Sequence, residues 1–149
     1  MSDSSASRPS SIPQVVGRVV LGLFLLLAGI SHLTVGREAF TAQVPDWLPL
    51  GDDLVVVGSG VVELALGASL IALPRHRVAV GWIVAAFFVA IFPGNISQYV
   101  NRVHAFGLTS DLARAVRLIL QPLLVLWALW STGAWRDRGT LRSLVARRP

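Results

Sequence analysis

The chain has 149 residues, enough for one domain, and only 14% of them are charged while 54% are hydrophobic; soluble domains carry about 25% charged residues. That balance excludes an ordinary soluble domain and fits an integral membrane protein. The net charge of +5 comes from 13 arginines placed in short loops and a tail, so nucleic-acid binding is not expected, and the absence of cysteine excludes disulfides, iron–sulfur clusters and thiolate metal sites.

Residues 1–14 are rich in Ser and Pro and read as a disordered N-terminal tail. Residues 15–33 form the first apolar run, long enough to span a bilayer and too long for the core of a cleaved signal peptide. Residues 34–53 are a polar loop. In it Phe40, Val44 and Trp47 have the spacing of one helical face, and Pro45 and Pro49 then break the chain. A short interfacial segment anchored by Trp47 is expected here.

Residues 54–73 form the second span, with Glu63 near its middle among small residues. A tight basic turn with Arg75, His76 and Arg77 leads into the third span, residues 78–99, which continues past Pro93 and Gly94. Residues 101–111 are a loop. The fourth span, residues 112–131, carries Arg114, Arg117, Gln121 and Pro122. Residues 15–135 thus make one all-α, polytopic membrane domain with four transmembrane helices, and residues 136–149 make a basic cytoplasmic tail.

Orientation follows from the arginines. Nine lie on the side of the termini and the second loop, while the first and third loops hold Arg37 and Arg102, with Arg114 at a helix edge. The positive-inside rule places both termini in the cytoplasm. The expected location is the inner (plasma) membrane of a bacterial cell, crossed several times.

Every span contributes polar groups to the outer half of the bundle: His32, Glu63, Asn95 with Gln98 and Tyr99, and Arg117 with Gln121. Glu63 and Gln121 each lie nine residues inside their spans, about 14 Å deep. An ionisable group at such depth is paired, protonated or functional. Together the seven residues outline a ligand pocket open to the outside, whereas the inner half shows no such cluster. Each also has a structural role to weigh against this. His32 fits an interfacial histidine, Asn95 and Gln121 satisfy backbone beside Pro93 and Pro122, and Arg114 snorkels to headgroups. A buried pair between Glu63 and Arg117, with Gln121 bonding the same carboxylate, is the specific expectation.

Gly29-Ile-Ser-His32 with Phe40 and Val44-Pro45, Gly60-Val-Val-Glu63-Leu64 with Gly67, and Phe92-Pro-Gly-Asn-Ile-Ser-Gln-Tyr99 carry a resemblance. With these motifs the chain resembles the DoxX-like family of small four-helix bacterial membrane proteins over residues 15–135. The resemblance implies an up-and-down four-helix bundle. It supplies no agreed catalytic set, and the family's name comes from a subunit associated with a thiosulfate:quinone oxidoreductase.

Two roles follow from the residues and this resemblance. The first is a non-catalytic subunit or small-ligand binder for a quinone or isoprenoid-type lipid, partnered by the bilayer and a membrane redox protein; no resident cofactor or metal is expected beyond such a quinone. The second, less favoured, is a membrane enzyme on a lipid-like substrate, with the catalytic candidates Glu63 and His32 as acid and base. Haem held by His32 and His104 is disfavoured because His104 sits in a loop. The glycines of the second span serve packing in one bundle or a homo-oligomer equally well.

Overall fold

The computed structural model describes residues 9–41, 43–102 and 110–139. Six α-helices account for most of them: α1 (Ile12–Leu33), α2 (Arg37–Thr41), α3 (Asp52–Ala72), α4 (Arg77–Ala90), α5 (Phe92–Val100) and α6 (Asp111–Ser131), with a 3₁₀ turn over Pro74–His76. Four stretches are long and apolar enough to cross a membrane: Ile12–Leu33, Asp52–Ala72, Pro74–Val100 and Arg114–Ser131.

Local chemistry sets the ends. The side chain of Gln14 reaches back to accept the Ser11 backbone N–H at 3.1 Å, and Pro13 sits in the first turn, so α1 begins at Ile12. Residues 12–14, expected to belong to a disordered tail, are helical; residues 1–8 of that expected tail lie outside the described part. Asp52 and Asp53 occupy the first turn of α3, where the exposed N–H groups favour negative charge. Pro74 ends that helix. The third span breaks at Ile91 because Pro93 has no N–H to return to the carbonyl of Val89, and α4 and α5 continue it on either side. Residues 40–47 do not make one helical turn after another. α2 stops at Thr41, and Pro45 takes the chain into turns.

Helix α1 packs on α3 and α6, and α4 packs on α3 and α6, so α1 and α4 face each other across one diagonal and α3 and α6 across the other. Gly22 lies against Gly67 and Gly29 against Gly60, Gln14 meets Trp130, and Asn95 meets Gln121. These registers make all neighbours antiparallel, an up-and-down bundle. Its near end holds the start of α1, the α3–α4 turn and the end of α6. Its far end holds α2, α5 and the start of α6.

The core is Leu21 and Leu25 of α1, Leu66 and Leu70 of α3, Val84 and Phe88 of α4, and Ala128 and Leu129 of α6. The outward faces are just as apolar: Leu27, Ile83 and Ile119 are more than half exposed. A helix hydrophobic on every side needs lipid around it.

Candidate functional site

Helices α1 and α3 touch backbone to backbone. A Cβ on Gly29 would stand 2.7 Å from the Gly60 carbonyl oxygen, and one on Gly60 would stand 2.8 Å from the Cβ of His32. No side chain fits at either position, so glycine sets how closely these helices approach. His32 follows Gly29 by three residues and Glu63 follows Gly60 by three. The helices run in opposite directions, so each step of about 4.5 Å carries the two residues apart along the axis. Helical side chains lean toward their own N-terminus. In an antiparallel pair the two leans converge, and His32 Nδ1 comes to 2.8 Å from Glu63 Oε2 with both side chains buried.

The imidazole is fixed further. Nδ1 also lies 2.9 Å from the Ala28 carbonyl, and the ring stacks on Phe40 with centroids 3.3 Å apart. Two acceptors flank Nδ1, so the network assigns the proton to it. Its N–H is aligned with the Ala28 carbonyl. The approach to Glu63 is therefore a close contact between imidazole and carboxyl, which leaves Oε2 buried without an aligned hydrogen bond. Nε2 makes no hydrogen bond within the described residues.

On the opposite side, Arg117 of α6 donates from Nη1 to Gln98 Oε1 at 3.1 Å and from Nη2 to Gln43 Oε1 at 2.8 Å. Gln121 donates to the Phe88 carbonyl at 2.7 Å and accepts from Asn95 at 2.9 Å, beside the break in the third span. Its structural role and its place in the site thus coincide.

Between these groups lies a cavity of about 560 Å³ at the far end, within the size range of small-molecule pockets. Phe24, Phe40, Trp47, Phe88 and Leu124 supply much of its apolar wall. His32, Glu63, Asn95, Arg117 and Gln121 all line it, as does Gln43. Gln98 is fully buried behind Arg117 and acts through it. Tyr99 is 39% exposed and lies outside the cavity wall. One residue turns a helix by about 100°, which carries Tyr99 away from the buried Gln98. Phe40, Val44 and Trp47 share the cavity roof without sharing a helix.

The expected Glu63–Arg117 pair is not formed. Helices α3 and α6 are diagonal, with the cavity between their polar residues. Arg117 also leans toward the start of α6, toward Gln43 and Gln98 and away from the depth of Glu63. Arg114 is buried too and pairs with Asp111 at 2.6 Å instead of reaching outward. Gln43 is the member that sequence patterning missed. It sits in a loop, and only its place between two roof residues, Phe40 and Val44, hinted at it.

The near end also corrects an expectation, for it holds a buried polar cluster of its own. Gln14, Arg18, Arg77 and Asp137 are all at least nine-tenths buried. Arg18 and Arg77 belong to the basic run ends used to orient the chain, and Asp137 in the turn after α6 pairs with Arg77 at 3.2 Å. No group of three or more His, Asp or Glu side chains placed to hold a metal occurs among the described residues, and His104 lies outside them.

Residues 21–132 match the model of a domain of unknown function, DUF8561. The chain belongs to the DUF8561 family. No curated protein and no solved structure matches it. The matched stretch of this DUF8561 chain contains every residue lining the cavity.

Proposed function

We propose that the far-end cavity holds a quinone or isoprenoid-type lipid, and that the protein serves as a ligand-binding membrane subunit beside a redox partner. One observation carries this. The cavity is apolar along most of its wall, yet buried polar atoms stand at separate places around it: the acceptor Glu63 Oε2, which touches His32 without an aligned hydrogen bond, and the donor Gln43 Nε2, which has no partner. A buried polar atom left without a partner is costly, and a ligand that supplies the partner recovers that cost. A ring with oxygens at opposite edges and an apolar tail has this form, its reduced hydroxyl suited to Glu63 and its carbonyl oxygen to Gln43 and Arg117. The DoxX-like motifs support the same assignment, since His32 and Glu63 are among them. The arginine distribution supports an inner-membrane protein with both termini in the cytoplasm and the cavity opening outward.

The test is purification in mild detergent followed by mass spectrometry of bound lipids and proteins. A quinone or isoprenoid lipid retained by the native chain and lost when Ala28→Phe fills the cavity supports the assignment. A native protein that retains neither lipid nor partner rejects it.

Acid–base catalysis is a second role, favoured by one feature: Nδ1 of His32 is held from behind, so Nε2 is left for a molecule in the cavity. Under this role Glu63→Gln keeps the lipid while turnover stops.

A further inference from the structure

The roof of the cavity is pinned to the bundle through one side chain. Gln43 follows α2 in a turn, with its backbone N–H bonded to the Phe40 carbonyl at 3.0 Å. A Cβ on Gly94 would stand 3.4 Å from the Gln43 carbonyl oxygen, so the roof rests on the first turn of α5. Although it lies in a loop, Gln43 is only 8% exposed. Its Oε1 accepts from Arg117 Nη2 at 2.8 Å, and Gln98 Oε1 accepts from Nη1 of the same guanidinium at 3.1 Å. A guanidinium carries donors only. An amide beside it turns its oxygen to the arginine and its NH2 group the other way, so chemistry fixes which end of Gln43 is which. Nε2 is then a buried donor without a partner, on a residue that lines the cavity. The other two amides of the lining differ. Asn95 gives its NH2 group to Gln121 at 2.9 Å, and Gln121 gives its own to the Phe88 carbonyl at 2.7 Å. Among the described residues, Gln43 is thus the lining amide whose NH2 group makes no hydrogen bond.

We propose that Gln43 is the specificity-determining residue of the cavity, selecting a ligand by an acceptor oxygen, with Arg117 as the positioning residue that keeps its donor turned away from the guanidinium. The inference rests on the cavity being the ligand site proposed above, and it narrows the ligand. A carbonyl oxygen at the roof, as on a quinone ring, meets Nε2 and pairs it. A hydrocarbon leaves Nε2 buried and unpaired, which weakens binding by about tenfold or more. An amine or ammonium sets a donor against a donor and is refused. The class that fits is therefore an apolar ring bearing a carbonyl, and neither a bare isoprenoid hydrocarbon nor a lipophilic amine. Gln43→Glu separates this role from a structural one. It keeps an oxygen toward Arg117 and adds charge to that bond, while it replaces the donor by a second acceptor.

The full chain in mild detergent is titrated calorimetrically with menadione and with methylnaphthalene, the same rings without the oxygens. The native chain is expected to bind menadione about tenfold more tightly or better. Gln43→Glu is expected to lose that preference while its unfolding midpoint without ligand is held or raised, a split that a merely structural Gln43 would not produce. Should Gln43→Glu fail to fold, Gln43→Met, of similar length and without the amide, replaces it, and the preference is lost there. Unchanged menadione affinity in the variant used overturns the selector, and so does equal affinity of the native chain for the two probes. In both cases loss of menadione binding in Ala28→Phe still keeps the cavity as the ligand site. A native chain that binds neither probe, or an Ala28→Phe chain that binds menadione as the native chain does, overturns the ligand site and the selector together.

Discussion

His32 meets Glu63 at 2.8 Å across a contact in which the backbones of Gly29 and Gly60 touch. The glycines come three residues before the polar pair on each helix, so the G-x-x-H and G-x-x-E motifs work as a unit. The close approach is what lets two side chains at different depths reach each other.

Alanine at Gly60 is therefore expected to destabilise the protein by about 1–3 kcal/mol, because its Cβ has no room beside His32. Gly58 is the control, since a Cβ there meets open space. Gly58→Ala is expected to be neutral or to stabilise by about 0.5–1 kcal/mol through helix propensity. Thermal unfolding in detergent distinguishes the two, and equal effects would contradict the backbone contact.

A double-mutant cycle separates the pair that forms from the pair that does not. Alanine changes at His32 and Glu63 should couple by about 0.5–3 kcal/mol. The same cycle on Glu63 and Arg117 should come out additive within about 0.5 kcal/mol, because each bonds to other groups on its own side of the cavity.

Much of this fold was legible in the sequence, for a simple reason. A bilayer demands long apolar runs, and such runs announce themselves. The set of polar residues at one end was legible as well, because depth follows from counting residues. Partnership was not. Nothing in the spacing of Glu63 and Arg117 says that their helices are diagonal, and the lean of a side chain toward its own N-terminus acts only once the neighbour's direction is known. Tyr99 was misplaced because three- and four-residue spacings both suggest a shared face, and only the packed bundle shows where that face ends. The near-end cluster was missed because Asp137, which pairs with Arg77, lies in a turn after α6 that carries no apolar pattern.

Arg117→Lys should behave as a loss and not as a conservative change. Two nitrogens of one planar group bridge Gln98 and Gln43, and an ammonium on a flexible stem does not reproduce that fork. Leaving one glutamine oxygen unmatched is expected to cost about 1–3 kcal/mol. Retention of the full unfolding midpoint in Arg117→Lys would show that the bridge contributes nothing.

Cavity occupancy is the central claim, and Trp47 offers a direct view of it. It lines the cavity, while Trp82, Trp127, Trp130 and Trp135 belong to α4, α6 and the turn after it. A variant keeping Trp47 as its single tryptophan is reconstituted and titrated with a short-chain quinone, and its fluorescence is followed. Saturable quenching that disappears when Ala28→Phe is added and survives Arg18→Gln is the predicted result. Quenching that rises without saturation, and equally with and without Ala28→Phe, would mean that the quinone is dissolved in the lipid and that the cavity does not bind it.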